Sequence, residues 1–214
     1  MIVYFISGLG ADKRVFQNLT LSENITAKYL EWIEPQKNES LKSYSRRFSS
    51  TIDSKEPFGI VGLSYGGMIA VEIAKELNPD FVVIISSIYT NSQLPLYVKI
   101  VGKFNLHKII PIIILRSANK VLYWLFGSIN NEEKQLIKSI QKDSDPKFTK
   151  WAMNSILKWK NHIKPNMLIH IHGTKDRILP IKQLEPDYVI IDGTHFMIFN
   201  KFEKISEIIN QVCN

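Results

Sequence analysis

Ser64 lies in the stretch Phe58-Gly59-Ile60-Val61-Gly62-Leu63-Ser64-Tyr65-Gly66-Gly67-Met68. It is flanked by glycines two positions before and two positions after. A short apolar run, Phe58 to Leu63, reads as a buried strand, and Met68, Ala70, Val71, Ala74 and Leu77 follow at helical spacing. A serine between strand and helix in a Gly-x-Ser-x-Gly turn is suited to nucleophilic chemistry. The turn holds the residue in a strained conformation with its hydroxyl proud of the sheet. The flanking positions must be nearly free of side chains, because strand and helix pass too close for a Cβ. The amide of Tyr65, opening the helix, then points toward developing negative charge. A serine hydroxyl is a poor nucleophile at neutral pH and needs a base within hydrogen-bond reach.

The elements that must hold such a site can be followed along the chain. Ile2 to Ile6 is a short apolar strand running into Ser7-Gly8-Leu9-Gly10. That loop lacks the full Gly-x-Gly-x-x-Gly of a phosphate cradle, because position 13 is Lys13, and it suits backbone amides approaching a reacting oxygen. Phe16 and Leu19 suggest a brief helix, and Ala27 to Ile33 a second strand closed by Pro35. Ser40 caps a helix presenting Leu41, Tyr44, Phe48 and Ile52 on one face. After the Ser64 strand and its helix, which Asn78-Pro79 ends, Phe81 to Ser86 is another apolar strand. Strands apolar on both faces and alternating with helices predict an α/β fold. Its central sheet is mostly parallel, with helices on both faces.

From about residue 90 to residue 163 the pattern becomes all-helical. Asn131-Glu132-Glu133 and Asp145-Pro146 are helix starts. Phe148, Trp151, Ala152, Ile156 and Trp159 recur at helical spacing. The expectation is one domain, residues 1–214, with an inserted helical lid or cap over 90–163 whose apolar excess lines a pocket. The competing expectation is a helical subdomain packed only for stability. Sheet-like sequence resumes at Met167 to Ile171 and again at Tyr188 to Ile191, and Phe202, Ile205, Ile208 and Ile209 close the chain as an amphipathic helix.

With these elements in place, the chain resembles an α/β-hydrolase of the small esterase/lipase type over nearly its full length. Gly62-Leu63-Ser64-Tyr65-Gly66 matches that family's nucleophile elbow. His172-Gly173-x-x-Asp176, with Pro180 soon after, resembles the loop that carries the acid, and Gly193-Thr194-His195-Phe196 the loop that carries the histidine. Ser7-Gly8-Leu9-Gly10 resembles the oxyanion loop, with Ser7 where a histidine is common. The family's first strand hairpin is missing, so the resemblance is to a trimmed version of the fold.

The resemblance implies Ser64 as nucleophile and His195 as the base that takes its proton and later delivers it to the leaving group. Asp176 fixes the imidazole tautomer, and the backbone N–H groups of Leu9 and Tyr65 hold the oxyanion. Among the other histidines, His107 and His162 lie in the insertion, and His170 and His172 at a strand end suit structural hydrogen bonds. Asp192, Asp143 and Asp145 are the rivals to Asp176. Relatives that displace halide or open epoxides carry Asp at the elbow, so Ser64 points to hydrolysis of a carboxylic ester or thioester of a largely apolar acyl substrate. Peptide, C–C bond and lyase chemistry stay open, since fold does not set substrate. The alternative is a binding protein, non-catalytic or weakly catalytic, that holds an apolar small ligand in the same pocket.

Composition narrows the partners. The chain has 214 residues, a formal net charge of +7 and 45% hydrophobic residues. That charge is compatible with an acidic acyl carrier or an anionic surface, or with lysines merely scattered over the surface. No nucleic-acid motif or block of like charge is visible, and nucleic acid is not expected. One cysteine, Cys213, permits no internal disulfide and no Cys/His metal cage. No cofactor or metal is implied. Ile109 to Phe126 is broken by Pro111, Arg116, Asn119 and Lys120, so it is not expected to cross a bilayer. The short apolar start lacks a basic leader, which makes a cytoplasmic protein the default.

Overall fold

The computed structural model describes residues 1–103, 119–128 and 130–213. His107 and the larger part of the Ile109 to Phe126 stretch lie outside the described residues. Six strands form one parallel sheet in the order β2-β1-β3-β4-β5-β6. They are β1 (Ile2–Ile6), β2 (Thr26–Leu30), β3 (Phe58–Leu63), β4 (Phe81–Ile85), β5 (Leu168–Gly173) and β6 (Tyr188–Ile190). This is the α/β-hydrolase fold in trimmed form: among the described residues no antiparallel strand precedes the sheet.

The strands' pleat sends alternate residues to opposite faces, and each face has its own core. Tyr4 and Ile6 of β1, Ile60 of β3, and Val82 and Ile84 of β4 share one cluster. It also contains residues of helices α1 (Leu41–Phe48) and α2 (Tyr65–Leu77). Val3, Phe5, Val61, Leu63, Val83 and Ile85 belong to the other, with α7 (Met197–Asn200) and α8 (Phe202–Val212). Every residue of β3 and β4 is buried, which is why both read as unbroken apolar runs rather than alternating ones.

The β1–β2 connection, with a 3-10 turn at Lys13–Phe16, packs on the second face, while the β2–β3 and β3–β4 connections place α1 and α2 on the first. The strand order therefore reverses at β1/β3. In open α/β sheets the crevice at the carboxyl ends of such a reversal is where ligands bind. The loop after β1 carries Leu9 and the loop after β3 carries Ser64, so both candidate residues meet at that point.

Local chemistry sets the helix starts. Ser40 and Ser43 form a reciprocal capping box at α1, and Asn130 and Glu133 do the same for α5 (Asn131–Asp143). Asp145 caps α6 (Pro146–Lys158), with Pro146 in the first turn. Between residues 90 and 163 the described elements are helical: α3 (Leu96–Lys103), α4 (Lys120–Phe126), α5, α6 and a 3-10 turn at Asn91–Gln93. The second strand is shorter than the pattern Ala27 to Ile33 predicts. It ends at Leu30, and Trp32 then turns to donate its indole N–H to the Ala11 carbonyl at 2.9 Å.

Candidate active site

Ser64 sits at φ 51°, ψ −117°, between β3 and α2. A side chain at positive φ costs of order 1–3 kcal/mol, so the surroundings must impose it. They do so from several sides. The Ser64 amide donates to the Ile85 carbonyl at 2.8 Å, and the Ser64 carbonyl accepts from the Gly67 amide at 2.9 Å and from the Ser87 hydroxyl at 2.6 Å. The two flanking glycines are obligatory. A Cβ on Gly62 would come within 2.5 Å of the Gly66 carbonyl oxygen, and one on Gly66 within 2.3 Å of the Ile6 and Ser7 carbonyl oxygens.

This turn aims the Ser64 hydroxyl at His195, whose Nε2 lies 2.9 Å from Oγ. The opposite nitrogen, Nδ1, is 2.8 Å from Asp176 Oδ2. The other carboxylate oxygen, Oδ1, accepts the amides of Ile178 and Leu179, each at 2.8 Å. Asp176 and His195 are buried. Burial by itself would push the Asp176 carboxyl up. The His195 imidazole beside it, that imidazole's hydrogen bond, His172 and the Leu179 amide outweigh burial and hold it below the usual carboxylate range. Phe126 covers the imidazole edge-on, with ring centroids 5.6 Å apart.

Leu9 lies in the loop after β1, and Tyr65 directly follows Ser64. A Cβ on Gly8 would touch Ser64 Cβ at 3.6 Å, so the loop after β1 runs against the serine. Among the described residues no acceptor is hydrogen-bonded to the Leu9 amide. Tyr65 is the first residue of α2, where amides lack an intrahelical acceptor. Ser7, standing where the resemblance leads one to expect histidine, braces this loop by donating to the Ala11 carbonyl at 2.8 Å.

The rival residues lie elsewhere. Asp192 is exposed and pairs with Lys175 at 2.9 Å, Asp143 pairs with Arg14 at 2.8 Å, and Asp145 is the cap of α6. His162 is exposed. His170 and His172 are buried in β5 and hydrogen-bond through His170 Nε2 and His172 Nδ1 at 3.1 Å. The bracing of the Ser64 carbonyl by the Ser87 hydroxyl has no local sequence signal. Only the packing of β4's end against the turn reveals that role. Among the described residues no cluster of three or more His, Cys, Asp or Glu could hold a metal, and no helix is long and apolar enough to cross a membrane.

The comparisons speak to the fold. No protein-family model matches the chain, and no curated protein matches it either. Solved structures do. A lipase-esterase related protein from Clostridium acetobutylicum is 17% identical, with 99% of this chain and 93% of that one covered and a TM-score of 0.72. A bromoperoxidase from Bacillus anthracis is 15% identical, with coverage of 99% and 91% and a TM-score of 0.73. A thermophilic esterase from Thermogutta terrifontis is 12% identical, with coverage of 99% and 88% and a TM-score of 0.70. The shared architecture spans the whole domain, while the different names on it show that chemistry must be argued from the site.

Proposed function

We propose that the chain is a serine hydrolase that cleaves a carboxylic ester or thioester of a largely apolar acyl substrate through an acyl-enzyme on Ser64. The observation that carries this reading is the continuous Ser64–His195–Asp176 chain, at 2.9 Å and 2.8 Å. His195 Nε2 takes the Ser64 proton as Oγ attacks the acyl carbon, and returns it to the leaving oxygen or sulfur as that bond breaks. Water then repeats the cycle on the acyl-enzyme, with His195 again as base. Asp176 keeps the Nδ1–H tautomer in place, and the Leu9 and Tyr65 amides take the oxyanion. The 90–163 insertion serves as a lid over this site. A receptor for an apolar ligand would have no use for a serine held in a strained turn against a buried imidazole, which favours turnover over simple binding. The names of the esterase neighbours agree with the reading.

The experiment is a series of nitrophenyl esters from acetate to long-chain acyl, run on wild type and Ser64→Ala side by side. Hydrolysis should be confined to the wild type, with a chain-length optimum that sizes the acyl pocket. Equal rates for the two folded proteins would overturn the proposal.

One feature favours the thioester branch on an acidic acyl carrier. A groove of about 1020 Å³ beside the acid and histidine loops is lined, among the described residues, by Lys120, Lys134, Lys175, Arg177 and Lys201 and by the acidic Glu133 and Asp192. Asp192 is already paired with Lys175. A groove of this sign draws an anionic partner, and the attraction weakens with salt. Turnover of a carrier-bound thioester should therefore fall with ionic strength in wild type and less so in Lys134→Glu, while nitrophenyl ester turnover stays level. A salt response identical in both proteins would remove the carrier.

A further inference from the structure

Behind Asp176 the polar chain continues. His172, buried in β5, directs Nε2 at the Leu179 carbonyl at 2.8 Å, and the same nitrogen lies 3.4 Å from Asp176 Oδ2. A carbonyl can only accept, so Nε2 carries the proton. Burial, the largest influence on this ring, pushes its proton affinity down and keeps it neutral. Its Nδ1 is then an acceptor, which makes His170 Nε2 the donor of the 3.1 Å bond between the rings. His170 Nδ1 ends the chain, with no hydrogen-bond partner among the described residues.

Leu179 is the link that gives this arrangement meaning. Its amide holds Asp176 Oδ1, and its carbonyl is held by His172. The oxygen that faces His195 is also the one nearest the His172 N–H. We infer that His172 is a positioning residue: a neutral imidazole that clamps the 176–179 turn and places a second N–H beside Asp176 Oδ2, so that the carboxylate keeps the orientation His195 requires. This role rests on the Ser64–His195–Asp176 reading. Sub-ångström placement of such a group matters, since a shift of about 1 Å transmitted from outside the reacting atoms can cost about a hundredfold in rate.

The charged and titratable groups facing this pair are Asp176 and His195 from the site loops and Tyr97 from α3 near Asp176. On the His170 side they are Tyr89, Lys164 and Asp187. The test compares two polar replacements. His172→Gln places an amide N–H at the reach of Nε2, whereas His172→Asn is too short to reach Leu179 while still offering His170 a partner. Rates are taken per active site, titrated with a fluorophosphonate. Against nitrophenyl butyrate, the Asn variant should lose about ten- to a hundredfold in kcat with KM nearly unchanged, and the Gln variant should keep most of it. The acid limb of the kcat/KM profile should also move to higher pH in the Asn variant. A carboxylate with fewer donors attracts an imidazolium more strongly. Equal losses in both variants, or an Asn variant with the wild-type rate and pH profile per titrated site, would overturn the inference. Ser64→Ala keeps the two levels distinct: full activity there would refute the hydrolase reading itself, whatever His172 does.

Discussion

Helices α4 and α6 both lie between residues 90 and 163, yet they meet the rest of the molecule differently. α6 buries Phe148, Thr149, Ala152 and Ser155 against α1, α2 and the loop after β1. It is also fastened by polar hooks. Ser155 and the Tyr65 hydroxyl are 2.9 Å apart in a buried site, and the Trp151 indole donates to the Glu39 carbonyl at 3.0 Å. α4 has no buried residue, and Val121 and Trp124 are 65% and 59% exposed. It is tied to the site loops by the Phe126 ring on His195, by the Phe196 amide donating to the Phe126 carbonyl at 3.2 Å, and by Arg177, which donates to the Trp124 carbonyl at 2.6 Å and lies 4.7 Å from the Trp124 ring centroid. Both helices are apolar-rich in sequence, so apolar content did not decide which became core. The difference lies in what each faces: α6 covers the sheet-side helices that hold Ser64, while α4 stands over the loop that holds His195. α6 is packed into the core beside the Ser64 turn, while α4 stays at the surface beside the His195 loop.

Substitutions that sharpen this contrast have graded effects. The largest is expected at Phe148, which packs against Trp32, Tyr44, Tyr65 and Trp151. Phe148→Ala should destabilise the whole domain by about 3–5 kcal/mol, seen as a lower denaturant midpoint. A loss confined to activity would mean that α6 is not scaffold.

Next is pH. Burial, chiefly, together with neighbouring His172 and Lys164, pushes His170 down to about 3. In the unfolded chain a histidine titrates near 6.5. The folded form thus binds this proton more weakly, and its contribution to stability is complete above about 6.5 and lost as pH falls toward about 3. Chemical denaturation at pH 7 and pH 5 should show the drop, and His170→Phe should flatten it; an unchanged slope in that variant would assign the acid sensitivity elsewhere.

Ser155→Ala comes third. It leaves the buried Tyr65 hydroxyl without its partner, at a cost of about 1–3 kcal/mol. Since Tyr65 also supplies a proposed oxyanion amide, kcat should fall more than KM changes. Trp124→Ala is expected to be smallest in stability, within about 1 kcal/mol, because the ring is exposed. Its effect should appear in KM for long-chain esters, and a large fall in melting temperature would show that α4 carries more of the fold than its exposure implies.

The same contrast separates what the sequence made legible from what it did not. β3, the Gly62 and Gly66 positions and the start of α2 could be read directly, because their chemistry is local: a strand, a turn that excludes Cβ atoms and a helix, all within about a dozen residues. The cap of α6 was legible for the same reason, since Asp145 acts on an amide two residues away, whereas the start of α5 was read at Asn131 and its cap is Asn130, one residue earlier. The loops holding Asp176 and His195 were found through motif resemblance, and the structure brings both residues to Ser64. Contacts between distant residues left no mark. The Ser87–Ser64 brace, the Ser155–Tyr65 bond and the Leu179–His172 clamp each depend on a side chain's direction in the folded chain. Nor could the apolar spacing of α6 say that its partner would be Tyr65 and Trp32 rather than an open pocket.

Covalent capture of Ser64 tests the central claim most directly. A fluorophosphonate is attacked at phosphorus by an activated serine, fluoride leaves, and the phosphonyl group stays on Oγ, where peptide mass spectrometry can locate it. The account predicts one label per chain, on the peptide containing Ser64, abolished by Ser64→Ala and slowed strongly by His195→Ala. A wild-type protein that takes no label at Ser64, or a Ser64→Ala variant labelled as fast as wild type, would contradict it.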